Sequence, residues 1–287
     1  MSYAIHPAME LGEICLRVSD LNRSLQFYEE VVGFSVLKQS SKTAELTVDG
    51  KNTLLILEEI PNAVGVPRRS ASGLYHFALL LPTRKDLGVV LQRLIESGIH
   101  IGQADHLVSE ALYITDPDHH GIEIYRDRPR ETWERDVQGY YKMATDPIDW
   151  DGLLNEVKGS KEGKLPAGTT IGHVHFHVGD LLRSKHFYCD VLGFDITSDV
   201  MRQMGALFIS AGGYHHHIGL NIWAGNGVSS PPPNATGIEY FTIVLPDDSE
   251  WLKTLEQLRS AGITVKQQER AMQTQDPSGI GIRFIVK

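Results

Sequence analysis

Asp20–Phe34 reads DLNRSLQFYEEVVGF and Asp180–Phe194 reads DLLRSKHFYCDVLGF, with nine of the 15 positions identical at a constant offset of 160. A second pair, Gly73–Ile99 and Gly237–Ile263, shares Gly73/Gly237, Phe77/Phe241, Pro82/Pro246, Leu94/Leu258 and Gly98/Gly262. Self-similarity at a fixed offset marks duplicated structural units, so the chain is two similar halves. Each half divides again into an alternating strand, a helix, a glycine and further strands. Leu87, Val90, Leu91, Leu94 and Ile95 recur at helical spacing ahead of Gly98, which stands where a C-terminal cap belongs. Leu25, Tyr28, Val31 and Val32 do the same ahead of Gly33. The β-branched and apolar runs Ala44–Val48 and Thr53–Leu57 predict strands. The fold class is therefore α+β, with four βαβββ modules opening near Leu11, Gly73, Ile171 and Gly237. Two modules are assigned to each of two domains, 9–127 and 169–287. Between them 128–168 is charged, carries Pro129, Pro147 and Pro166, and reads as a linker with a helix around Trp150–Lys158.

The 287 residues suffice for two domains. With 41% hydrophobic and 22% charged residues the chain can bury a real core. The net charge of −9 and the lack of a basic stripe argue against nucleic acid as a partner. No apolar run approaches the ~20 residues of a membrane span, and Met1–Gly12 lacks the pattern of a secretory signal. Two cysteines, Cys15 and Cys189, make no disulfide framework and read as free thiols of a cytoplasmic protein. A homo-oligomer is expected only on base rates.

The modules keep their apolar pattern and change their polar residues. In IGHVHFHV, Ile171–Val178, strand alternation puts His173, His175 and His177 on one face and Val174, Phe176 and Val178 on the other. At the position of His173 the first module has Glu13. The second module opens with His76, whose partner in the last module is Tyr240. After the turn in DPDHHGIEIY, Asp116–Tyr125, Glu123 shares a face with Tyr125, and its repeat partner is Arg283. Two imidazoles and a carboxylate, His76, His173 and Glu123, suit a divalent first-row metal, and three protein ligands leave positions open, as in catalytic sites. Glu13, His76 and Glu123 form an alternative trio within the first half. In GGYHHHIGLNIW, Gly212–Trp223, an apolar inward face of Ile218, Leu220 and Ile222 turns His217, Gly219, Asn221 and Trp223 toward the concavity. A free imidazole there, with an ordinary pKa of ~6.5, is a natural acid–base group.

On these stretches the chain resembles the vicinal oxygen chelate superfamily, in which paired βαβββ modules curl into half-barrel sheets around a metal. More narrowly it is similar to the extradiol catechol 2,3-dioxygenases. The resemblance implies Fe(II), with Mn(II) as the alternative, held by His76, Glu123 and His173. It implies proton transfer by His217 and a hydrogen bond to bound oxygens from Tyr113, ten positions before Glu123. His106, His175, His215, Asn221 and Trp223 are expected around the substrate. The implied partners are a catechol-type diol and O2, and the implied product is a hydroxymuconic semialdehyde. Because Tyr240 and Arg283 occupy two ligand places in the last module, the site must combine modules two and three. Two other classes share the fold: a metal-dependent isomerase of the glyoxalase type, for which Asn221 is a poor fourth ligand, and a non-enzymatic binding or resistance protein.

Overall fold

A computed structural model describes residues 3–159 and 163–287, so residues 1–2 and positions 160–162 of the expected linker lie outside the described residues. The first module comprises β1 (Glu10–Val18), α1 (Leu21–Gln26), β2 (Ser35–Gln39), β3 (Thr43–Thr47) and β4 (Leu55–Glu59). The second comprises β5 (Gly73–Leu80), α2 (Arg84–Ser97), β6 (Gly102–Asp105), β7 (Ser109–Thr115) and β8 (Gly121–Asp127). After α3 (Trp150–Glu156) the third follows: β9 (Thr170–His177), α4 (Leu181–Lys185), β10 (Asp195–Val200), α5 (Met201–Met204), β11 (Ala206–Ser210) and β12 (Ile218–Asn221). The fourth comprises β13 (Gly237–Leu245), α6 (Asp248–Ser260), β14 (Lys266–Gln268), β15 (Ala271–Gln275) and β16 (Gly281–Val286). The four modules are those read from the sequence.

Their pairing divides the chain differently from the expected domains. One eight-stranded sheet runs β10-β11-β12-β9-β5-β8-β7-β6 and joins modules two and three; the other runs β14-β15-β16-β13-β1-β4-β3-β2 and joins one and four. The bounds 9–127 and 169–287 therefore mark the sequence repeat, whereas each sheet takes one module from each half. Antiparallel seams between opening strands, β5 on β9 and β1 on β13, close the two sheets. The sheets meet through the apolar faces of those strands, with the Phe176 and Phe241 rings 5.2 Å apart, and this packing directs the opposite face of β9 into the inner concavity.

The helix read through Leu25–Val32 widens. After α1, Phe27–Val32 forms a π-helical turn in which the amides of Gly33 and Phe34 both donate to the Tyr28 carbonyl. Tyr28 is fully buried there, and its hydroxyl donates to Asp116 Oδ2 at 3.0 Å. α2 follows the expected pattern, with a Thr83–Asp86 capping box and Gly98 at φ 70°. The linker is packed against both halves: α3 lies on α2, and Trp133 and Tyr141 are buried with Val108 and Tyr214. Both cysteines are free, and no helix is long and apolar enough to cross a membrane among the described residues.

Candidate metal centre

Strand register assembles the site. Ala78 of β5 pairs with Glu123 of β8 on one side and with His173 of β9 on the other, and His76 projects two residues away on the same face. Ala78 leaves a gap over which the flanking side chains converge. His173 Nε2 lies 3.0 Å and His76 Nε2 3.1 Å from Glu123 Oε2, with all three groups buried. One donor atom from each lies within 4.8 Å of the others. Gly121, paired with His76, permits the close approach: a Cβ there would stand 2.1 Å from the Tyr75 carbonyl oxygen.

The donor set fits a divalent cation. His76 Nε2 is buried and makes no hydrogen bond, despite its distance from the carboxylate. Burial would raise the Glu123 carboxyl, but His173 and His76 outweigh it and hold the group well below its usual range. Burial in turn lowers His76. A buried, ionised carboxylate facing two imidazole nitrogens, one of them without a hydrogen bond, fits a divalent cation. The alternative trio is not assembled, because Glu13 lies on the other sheet and accepts from Arg283 Nη1 at 2.7 Å.

The residues around the trio are mutually braced. Tyr113 pairs with Glu123 across β7 and β8. Its hydroxyl donates to His106 Nε2 at 2.6 Å, while His106 Nδ1 donates to the Ala144 carbonyl at 2.7 Å. Burial, reinforced by Glu123, keeps Tyr113 protonated far above ordinary phenols. Asn221 Oδ1 accepts from the Trp223 amide at 3.0 Å, which fixes its orientation. That oxygen also accepts from His177 Nδ1 at 2.6 Å, and Nδ2 donates to His175 Nε2 at 2.9 Å. His175 thus has no lone pair to offer a metal from Nε2; its ring, with Tyr75, Phe208 and Trp223, makes an aromatic wall. Tyr75 also packs on His76 at 5.0 Å.

The hairpin departs from the reading in one residue. His217 shares the face of Gly219 and Asn221, but its ring packs on Tyr214 at 4.9 Å and its Nδ1 accepts the Ala211 amide at 3.2 Å. The ring beside the trio belongs to His216, 4.2 Å from that of His173. His216 Nδ1 lies 2.8 Å from His215 Nδ1, and His215 Nε2 lies 2.9 Å from Asp127 Oδ1. Since the carboxylate only accepts, neutral His215 carries its proton on Nε2, accepts at Nδ1, and leaves His216 Nε2 with the free lone pair. Burial, aided by the neighbouring imidazoles of His173 and His215, holds His216 well below the usual imidazole range. His216, Asp127 and Tyr75 were not singled out from the sequence. A signal for Asp127 was available, since it continues the alternation of Glu123 and Tyr125.

Comparison with known proteins gives the following. The model of the Glyoxalase/Bleomycin resistance protein/Dioxygenase superfamily matches residues 10–124 and 170–284. A protein of Bacillus subtilis strain 168 named catechol-2,3-dioxygenase is 53% identical over 284 residues, 99% of each chain. A metallothiol transferase of Staphylococcus epidermidis, FosB, is 30% identical over 135 residues, 46% of this chain and 88% of that one. Among solved structures, glyoxalase I of Zea mays superposes with a TM-score of 0.55 at 17% identity, covering 97% of this chain and 92% of that one. The last match shows a shared fold alone.

Proposed function

The chain belongs to the Glyoxalase/Bleomycin resistance protein/Dioxygenase superfamily, and from that premise we propose that it is an extradiol ring-cleaving dioxygenase that converts catechol and O2 to 2-hydroxymuconate semialdehyde. The observation that carries the reading is the convergence of His76, Glu123 and His173 in a chain 53% identical, end to end, to a catechol-2,3-dioxygenase. His76, Glu123 and His173 would hold the metal, taken as Fe(II), with Mn(II) as the alternative. When bound, the ion supplies positive charge and open positions at which the two adjacent oxygens of a catechol and O2 meet.

The remaining work falls to the chain. His216 Nε2, with its lone pair exposed to the concavity, takes the proton that the catechol hydroxyl releases. Asp127 acts through His215 to keep that lone pair directed there. Tyr113 stays an O–H donor and can turn from His106 to a substrate oxygen. Tyr75, His175, Phe208 and Trp223 present ring faces and edges to a planar substrate. A glyoxalase-type isomerase gains no support from Asn221 as a fourth ligand, since that side chain is committed to His175, His177 and Trp223.

Anaerobic loading with Fe(II), addition of catechol and admission of air test the reading. A yellow product forming with one O2 consumed per catechol is the expected outcome. Bound iron without oxygen uptake would overturn it.

A further inference from the structure

A cavity of about 370 Å³ lies outside the metal centre, where the C-terminal ends of β1 and β9 meet the N-terminal ends of β5 and β13. That volume is in the range of small-molecule sites. Its lining comes in repeat-related pairs: Arg17 with His177, Leu74 with Ile238, His119 with Gly279 and His120 with Ile280. Arg17 and His177 are both basic or imidazole groups, and two of the pairs place His119 and His120 where the repeat has Gly279 and Ile280. His120 is buried; its Nδ1 is held by Asp116 Oδ2 at 2.8 Å, and its Nε2 is buried and makes no hydrogen bond. His119 adopts φ 68°, and Arg69, also in the lining, φ 57°, both left-handed conformations that favour glycine. Gly279 occupies the place of His119 in the repeat at φ 83°. Strain of this kind concentrates at functional sites.

Charge gives the ligand class. Arg68 and Arg69 stand at the cavity with no ion pair or hydrogen bond among the described residues. Asp118, the acidic residue in the lining, is committed to Arg23 at 2.7 Å and to Ser19 at 2.6 Å. Arg17 is engaged by the Pro233 carbonyl and Glu239. Arg69 is close enough for its charge to join burial in lowering His177. Two free guanidiniums at one cavity call for a carboxylate.

The cavity also adjoins the metal centre. Tyr75 lines it and packs on His76 at 5.0 Å, and Gly121 lines it and pairs with His76. Ring cleavage adds both atoms of O2 to a neutral diol and yields an acid that becomes an anion when its carboxyl proton leaves to water. We propose that this cavity is a carboxylate site that draws off the ring-opened product, through Arg68 and Arg69. The occupant, though not the anion site, rests on the dioxygenase reading.

Calorimetric titration of the metal-free protein with cis,cis-muconate tests it without turnover. Wild type binds, and the double variant Arg68→Gln/Arg69→Gln binds at least tenfold more weakly, with an unchanged melting temperature because both side chains are exposed. In the iron-loaded enzyme, muconate inhibition is correspondingly weakened in the variant while the initial rate on catechol is kept. Equal affinity of the two proteins, or no binding by wild type, overturns the proposal. Failure of ring cleavage would instead remove the proposed function and leave the titration result standing.

Discussion

His216→Ala separates two neighbouring imidazoles that the sequence does not distinguish. In the wild type, Asp127 Oδ1 accepts from His215 at 2.9 Å, His215 meets His216 Nδ1 to Nδ1 at 2.8 Å, and the His216 ring stands 4.2 Å from that of His173. Removing the terminal imidazole deletes a positioned proton acceptor, worth ~10²–10⁴ in rate. That is about 3–5 kcal/mol of barrier. Metal binding is untouched, because the His76–Glu123–His173 set is intact. His215 Nδ1 loses its partner, so a melting temperature lowered by the equivalent of about 1–3 kcal/mol accompanies the change. Asp127→Asn keeps an acceptor oxygen but loses the charge; acting one step removed, it lowers the rate ~10- to 100-fold. His217→Ala leaves the relay whole and changes the rate less than about threefold, because its ring packs on Tyr214 and its Nδ1 is held by the Ala211 amide, outside the proton path. The assay is turnover per bound iron at saturating catechol and O2, with iron measured on the same samples. A wild-type rate per iron in His216→Ala, or an equal loss in His217→Ala, refutes the relay.

Further outcomes follow from the same geometry. His76→Ala and Glu123→Ala each lose bound metal beyond detection by elemental analysis while the far-ultraviolet circular dichroism stays that of wild type; full metal content in either would dissolve the centre. Gly121→Ala places a Cβ 2.1 Å from the Tyr75 carbonyl oxygen, a backbone atom that cannot rotate aside, so β5 and β8 must separate. A loss of at least about 1–3 kcal/mol in chemical denaturation and weaker metal retention are expected, and a wild-type denaturation midpoint would contradict this. Asp276→Asn concerns a carboxyl that burial raises to about 6, even though backbone amides and Tyr188 donate to it. Because the folded state holds that proton more tightly than the unfolded chain, Asp276 weakens the fold progressively as pH rises from about 4 to about 6, by up to about 3 kcal/mol above that range. The asparagine variant is thus more stable than wild type at pH 7–8 and loses the advantage near pH 4; paired thermal melts at the two pH values check the sign.

Strand periodicity made much of the centre legible. Alternation over Ile171–Val178 assigns His173, His175 and His177 to one face, and all three are buried on the concave side. The same rule applied to Gly121–Asp127 places Glu123 and, had it been followed two residues further, Asp127. What alternation cannot provide is the partner of each strand. Nothing local in β5 states that it pairs with β9 rather than with β1, so the repeat suggested domains that the sheets do not follow. Only the loss of ligands from the last module, through Tyr240 and Arg283, pointed to the inner pair. The hairpin exposes another limit. Its regular strand begins at Ile218, and the preceding His215–His217 lie in a bend after the left-handed Gly212 and Gly213. Parity holds from His217 onward, yet the bend carries both His215 and His216 inward, which a period of two does not describe.

The two sheets balance the charge of a carboxylate in different ways. At the outer positions that repeat His173, Glu123 and His76 stand Glu13, Arg283 and Tyr240. There the Arg283 guanidinium donates to Glu13 at 2.7 Å and lies over the Tyr240 ring at 5.7 Å. A tethered cation therefore neutralises the carboxylate of the outer sheet, while the inner sheet leaves a carboxylate between two imidazoles, one nitrogen of which has no hydrogen bond. In the first case the positive charge is covalent; in the second, under the proposed function, a bound cation would supply it. The difference lies in three side chains, not in strand order or register, because each sheet pairs its modules in the same antiparallel manner. Under the proposed function, the residue at position 283 thus distinguishes the two sheets as much as the proposed ligands at 76, 123 and 173 do.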